Sequence, residues 1–136
     1  AGIIGGLEHR SEYSRPVYFE DVARAFPRLN IVLAHMGWPW VEEAVAVAYM
    51  TPNVCLDIST GAPRIYKENA LREALFVLGE HKLIYGSDVI GPIDAPGLAH
   101  HLFDTRIMLQ KIGVSRRVEF RIMHDNARSL LGLPRD

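Results

Sequence analysis

Three short apolar runs recur along this chain, each followed by residues at helical spacing. That alternation leaves few folds open. The runs are Ile31-Val32-Leu33-Ala34, Val54-Cys55-Leu56-Asp57-Ile58 and Leu83-Ile84-Tyr85. Rich in β-branched residues and nearly free of charge, they read as strands buried on both faces of a parallel sheet. The connecting stretches carry their own punctuation. Pro16 opens a helix, as proline in a first turn does. Phe19, Val22, Ala23 and Phe26 follow at i, i+3, i+4 and i+7, so one face is apolar, and Pro27 ends it. Pro39 starts a second helix through Met50, broken by Thr51-Pro52-Asn53. A third, from Ile65 to Leu78, presents Leu71, Ala74, Leu75 and Leu78, and stops at Gly79. Leu98, Leu102, Leu109 and Ile112 mark a fourth, after a long loop from Ser87 to Pro96. Ser115 and Asp125 are placed to cap two short final helices, ending near Met123 and Leu131. Residues 1–15 show no period and read as loop.

The resulting order, α-β-α-β-α-β-α, argues an α/β fold with a parallel sheet and right-handed crossovers. Unit lengths of about 25 residues suit either a (β/α) barrel or a doubly wound sheet. Three strands alone leave two open edges. A full (β/α)₈ barrel takes about 250 residues, and this chain has 136. The expectation is a single partial domain over residues 1–136: the C-terminal portion of a TIM barrel, about strands 6–8 with their helices. A start without methionine, Ala1-Gly2-Ile3-Ile4, fits a chain cut from something longer.

Composition narrows the function classes. The chain is 49% apolar and 23% charged, with a net charge of −1, as soluble globular proteins are. Nothing draws it to nucleic acid or an anionic membrane. No apolar stretch approaches the roughly 18 residues that span a bilayer. The start lacks the basic head and apolar body of a signal peptide. One cysteine, Cys55, excludes a disulfide framework and reads as a small buried hydrophobe. These features together fit the cytoplasm.

In parallel α/β sheets, active-site groups stand where strands end at their carboxyl edge. His35 follows the first strand, with Gly37 allowing a tight turn. Its imidazole can move a proton or bind a metal. Asp88 follows the third strand in Tyr85-Gly86-Ser87-Asp88. A carboxylate there calls for a partner charge or a cation. Asp57, near the end of the second strand, is expected to pair with a neighbouring charge or shape the mouth. Trp38 and Trp40 follow His35 and are candidate substrate-binding residues. His9 stands in the first loop within reach of the mouth. His81 lies at the amino end of its strand, His100 and His101 are adjacent on a helix, and His124 sits between two short helices; these read as solvated or structural. The chain holds no phosphate-cradling glycine loop, paired-cysteine zinc motif or serine nucleophile elbow.

Pro16 to Pro27, Asn30 to Gly37, Asn53 to Ser59, Lys82 to Asp88 and Asp125 to Leu133 resemble the C-terminal half of the amidohydrolase-related proteins. These are (β/α)₈ metal-dependent hydrolases and decarboxylases, the aminocarboxymuconate-semialdehyde and hydroxybenzoate decarboxylases among them. The resemblance extends from about Arg15 onward. Its specific parts are the His-x-Gly at His35 and the Gly-Ser-Asp at Asp88. It implies that Asp88 is the strand-eight metal ligand and proton acceptor. It implies that His35 is the strand-six histidine, an acid/base beside the metal in decarboxylase-like members and a metal contact in others. The implied cofactor is a divalent metal, zinc before others. The family's remaining ligands, a His-x-His pair and a further histidine, have no match here, and Val89-Ile90 replaces the usual aromatic-proline pair.

The leading expectation is therefore a metal-dependent hydrolase acting on a carbonyl of a small substrate, present as a fragment that is inactive alone. The alternatives are a decarboxylase of a small aromatic or unsaturated acid on the same site, and a non-catalytic half-barrel. The expected partners are the small substrate and either further copies of the chain or the missing half of the barrel.

Overall fold

The computed structural model describes residues 10–59, 68–88 and 95–134. Three parallel strands form one sheet: β1 (Ile31–Leu33), β2 (Val54–Asp57) and β3 (Leu83–Ile84), in the order β1-β2-β3. Ile31 pairs with Val54, Leu33 with Leu56, and Leu56 with Leu83. Sequential strands are therefore spatial neighbours, as in a barrel.

Alternation along the strands decides the two faces. Leu33, Val54, Leu56, Ile58 and Leu83 are at most 1% exposed. They join Ala44, Val47 and Ala48 of α2 (Val41–Met50), Leu71 and Ala74 of α3 (Glu68–Leu78), Met108 and Leu109 at the end of α4 (Ala95–Lys111), and Ile112 just after it in one core. Burying each large side chain stabilises the fold by about 2 kcal/mol. Cys55 and Asp57 lie on the opposite face and are only partly buried. The expectation of strands buried on both faces holds for β3, where Leu83 and Ile84 are both buried, and is corrected for β1 and β2, whose second face is only partly buried.

The first helix begins later than the sequence predicts. Pro16–Phe19 is a 3₁₀ turn, and α1 runs over Glu20–Ala25. A 3₁₀ turn advances about 20° more per residue than an α-helix, which rotates the predicted apolar face. Ala23 is buried and Phe19 packs on the core, but Val22 and Phe26 are exposed. The third helix is found from Glu68, and its predicted start at Ile65 lies outside the described residues. Gly79, with φ of 71°, terminates it. The predicted loop around Val89 also lies outside the described residues, as do residues 1–9; α4 starts at Ala95, before Pro96.

Ser115 caps α5 (Arg116–Phe120) through its side chain, accepting from the Val118 N–H at 3.3 Å. Asp125 does not cap. A π-helical turn over Arg121–Asp125 joins α5 to α6 (Asn126–Leu130) without a break, so Asp125 has helical backbone angles. Asn126 ties this segment to the sheet instead, donating from Nδ2 to the carbonyls of Glu80 (2.5 Å) and Leu83 (2.7 Å). The Ile122 carbonyl accepts from the Tyr85 N–H at 2.9 Å. No helix among the described residues is long and apolar enough to cross a membrane.

Candidate active site

Beyond β1 the chain turns sharply over Ala34–Gly37. His35, Met36 and Gly37 have φ of 54°, 50° and 71°, three left-handed residues in succession. For His35 and Met36 that conformation costs about 1 kcal/mol or more each. Tertiary contacts offset it. Met36 is wholly buried. The His35 N–H donates to Asp57 Oδ1 at 2.9 Å, and the His35 carbonyl accepts from Trp38 N–H at 2.9 Å. Gly37 has no alternative: a Cβ there would stand 2.6 Å from Ala44 Cβ and 2.8 Å from Pro16 Cγ. The His-x-Gly spacing is therefore a requirement of the turn that aims His35.

Asp57 organises the neighbouring strand end. Besides the His35 N–H, its Oδ1 accepts the Ser59 N–H at 2.9 Å and the Ser59 hydroxyl. Ser59 Oγ in turn lies 2.7 Å from His35 Nδ1. His35 and Ser59 are buried, at 9% and 2% exposure. Ser59 does not stand out in the sequence as a candidate, and Asp57, expected to pair with a charge or shape the mouth, instead accepts from two N–H groups and a hydroxyl. One signal was available: Asp57 and Ser59 are two apart at a strand end, so they share a side.

The third strand completes the edge. A Cβ on Gly86 would come 3.2 Å from Ser59 Cβ and 3.8 Å from Asp57 Oδ2, so glycine lets the β3 exit pass close to this pair. Asp88 lies beyond it, exposed, with φ of 53°. In a parallel sheet ordered β1-β2-β3, His35, Ser59 and Asp88 follow the carboxyl ends of three adjacent strands.

Trp38 and Trp40 follow His35 directly, and the remaining singled-out residues sit elsewhere. Trp38 packs partly buried on the core. Trp40 carries the Arg15 guanidinium 6.0 Å above its ring. His81 precedes β3 and contacts Arg121, His100 pairs with Asp104 at 3.2 Å, and His124 bonds to Asp125 and stacks on Phe120. His9 lies outside the described residues. Burial pushes the Cys55 thiol above its ordinary value, with the Lys82 ammonium acting the other way.

The amidohydrolase family matches residues 2–133, nearly the whole chain. The chain belongs to the amidohydrolase family. Among curated relatives, the fluG protein of Emericella nidulans is 30% identical over 78 residues, 55% of this chain and 9% of fluG. Among solved structures, a TIM-barrel protein of Bordetella bronchiseptica superposes with a TM-score of 0.73 at 23% identity, over 96% of this chain and 44% of that one. A Burkholderia multivorans amidohydrolase with bound zinc gives 0.63 at 16% identity, over 88% and 49%. The 5-carboxyvanillate decarboxylase of Sphingomonas paucimobilis gives 0.54 at 18% identity, over 91% and 38%. This amidohydrolase chain thus has the fold of a partial TIM barrel and spans under half the length of these relatives.

A divalent metal fits the donor set only in part. Asp88 offers an exposed carboxylate at a strand end, the oxygen donor such an ion takes. His35 has Nδ1 engaged by Ser59, which leaves Nε2. Among the described residues, no three His, Cys, Asp or Glu side chains gather to hold an ion. A catalytic zinc takes about three protein ligands, so any metal held at Asp88 needs ligands from beyond these residues.

Proposed function

We propose that this chain supplies the proton-handling edge of a metal-dependent amidohydrolase that hydrolyses a carbonyl group of a small substrate. The observation that carries the reading is His35, held in a costly left-handed turn by Asp57 and Ser59, at the same strand edge as Asp88. Strain of this kind persists where the surroundings over-determine it, and functional sites are where it concentrates. Asp88 is the residue that would hold a divalent cation. Such a cation supplies Lewis acidity: it polarises a carbonyl oxygen and brings the pKa of a bound water to about 7. His35 carries protons to and from the reacting oxygen, and Asp88 accepts one. Trp38 and Trp40, on the segment leaving His35, contact the substrate. The remaining ligands come from further strands that pair with the outer edges of β1 and β3, either in a longer chain or in a second copy.

A second reading is non-oxidative decarboxylation of a small aromatic or unsaturated acid. His35 favours it in one respect: a buried acid/base can deliver the proton that replaces the lost carboxylate. The likeness to a decarboxylase barrel is compatible with it.

The test uses the protein with its full complement of barrel strands. His35→Ala and Asp88→Asn should each lower turnover at least about a hundredfold, and Asp88→Asn should also lower metal content by elemental analysis. Near-normal turnover in both variants overturns the assignment. CO₂ release from candidate acids, set against hydrolysis of esters, amides and lactones, separates the two reactions.

A further inference from the structure

We infer that Ser59 and Asp57 are positioning residues that fix the tautomer of His35, placing its proton on Nδ1 and keeping Nε2 bare for catalysis. The inference deepens the proposed function and rests on His35 being its proton carrier. It follows from counting hydrogens. Asp57 Oδ1, as a carboxylate oxygen, can only accept. The Ser59 hydroxyl has a single proton, and it lies within hydrogen-bonding reach of that oxygen. With that proton committed to Asp57, Ser59 Oγ can meet His35 Nδ1 at 2.7 Å only as an acceptor. Nδ1 must then be the protonated nitrogen. Neutral His35 is left with its lone pair on Nε2, and the imidazolium form keeps the same Nδ1 bond.

The backbone completes the arrangement. Asp57 Oδ1 that receives the Ser59 hydroxyl also receives the His35 N–H at 2.9 Å. One carboxylate oxygen therefore sets both the turn that aims the ring and, through Ser59, the ring's proton. Gly86 keeps this space small, since any side chain there would approach Ser59 Cβ and Asp57 Oδ2. An imidazole released from Ser59 is free to carry its proton on Nε2, and in that form Nε2 cannot accept another. Ring orientation and tautomer set by a hydrogen bond to the second nitrogen is a general device of histidine sites.

The direct test reads the unmodified protein. A long-range ¹H–¹⁵N spectrum of the unmodified protein, with His35 assigned by its loss in His35→Gln, should show Nδ1 protonated and Nε2 bare at a pH where the ring is neutral. A proton on Nε2 overturns the inference. Ser59→Ala, which keeps the Asp57 bond to the His35 backbone, should shift this signature toward the other tautomer with the circular dichroism spectrum unchanged. In the catalytically complete protein it should lower kcat about ten- to a hundredfold with KM within about threefold. Asp57→Asn keeps an oxygen acceptor for both N–H groups and the hydroxyl, and should retain the Nδ1 proton. An unchanged tautomer and unchanged kcat in Ser59→Ala sink the inference even where His35→Ala abolishes turnover. Full activity of His35→Ala removes His35 from the proposed function instead, while the tautomer measurement still stands or falls by itself.

Discussion

Asp57 Oδ1 accepts the backbone N–H of His35 at 2.9 Å, joining the end of β2 to the turn that follows β1. The bond crosses two adjacent strands at their carboxyl edge, and it holds a histidine whose φ is 54°. Removing the acceptor leaves a partly buried N–H without its carboxylate and leaves Ser59 without its own. Asp57→Ala should therefore destabilise the protein by about 2–3 kcal/mol, more than a typical surface change. Urea unfolding measures this. A loss under about 0.5 kcal/mol would mean that packing of Met36 alone secures the turn.

Gly37 faces a harder constraint. Its φ of 71° disfavours any Cβ, and the space a Cβ would take is held by Ala44 and Pro16. Gly37→Ala should cost at least about 3 kcal/mol, combining backbone strain with overpacking. The double variant Gly37→Ala/Ala44→Gly should recover part of that loss, because it removes the nearest atom but not the strain. Full recovery would show that φ carries no penalty there.

Glu43 links the Pro16 turn to α2. Its carboxylate accepts the Val17 N–H at 2.9 Å and pairs with Arg15. Burial raises its pKa, but the Arg15 and Val17 hydrogen bonds outweigh burial and hold it below the ordinary 4.5. A folded-state pKa below the unfolded one contributes stability above the unfolded value, and that contribution is lost as pH falls through the folded value. Glu43→Gln should cost about 1 kcal/mol at pH 7, and the gap to the parent should close as the pH drops from 4.5 toward about 2. A gap equal at pH 7 and pH 2 would contradict the charged pairing.

Cys55 should react slowly with thiol reagents. Burial raises its pKa above 9.0, and Lys82 offsets this only in part. Modification by Ellman's reagent at neutral pH should run at least about tenfold slower than in the unfolded chain. Equal rates would mean that the open face of the sheet is freely accessible at β2.

Asn126 supports the sheet from the C-terminal helix, at 7% exposure. Asn126→Ala strands the Glu80 and Leu83 carbonyls and should cost about 2 kcal/mol. Asn126→Asp should be no better, since an ionised carboxylate offers these carbonyls no donor. A stable aspartate variant would exclude the donor role.

Strand identity and order were legible in the sequence because β-branched apolar runs and helical spacing are local signals. The same is true of the helix stop at Gly79 and the Ser115 cap, each set within a few residues. The phase of α1 was not legible. A 3₁₀ turn at Pro16–Phe19 rotated it, leaving Phe26 in solvent. Asp125 looked like a cap from its neighbours, but the helix runs through it, and Asn126 makes the tertiary bonds.

For the site, the sequence by itself determined that His35 and Asp88 follow strands, and that Gly37 and Gly86 accompany them. Strand ends and glycines are written locally. Only the tertiary structure decided what surrounds His35. Asp57 is 22 residues away and Ser59 is 24 residues away along the chain. Their bonds to His35 exist because parallel pairing puts Leu33 beside Leu56, bringing two strand exits into hydrogen-bonding distance. Hydrogen bonds act over about 3 Å, so which side chains make them is fixed by strand register, and register is set by the whole packed sheet.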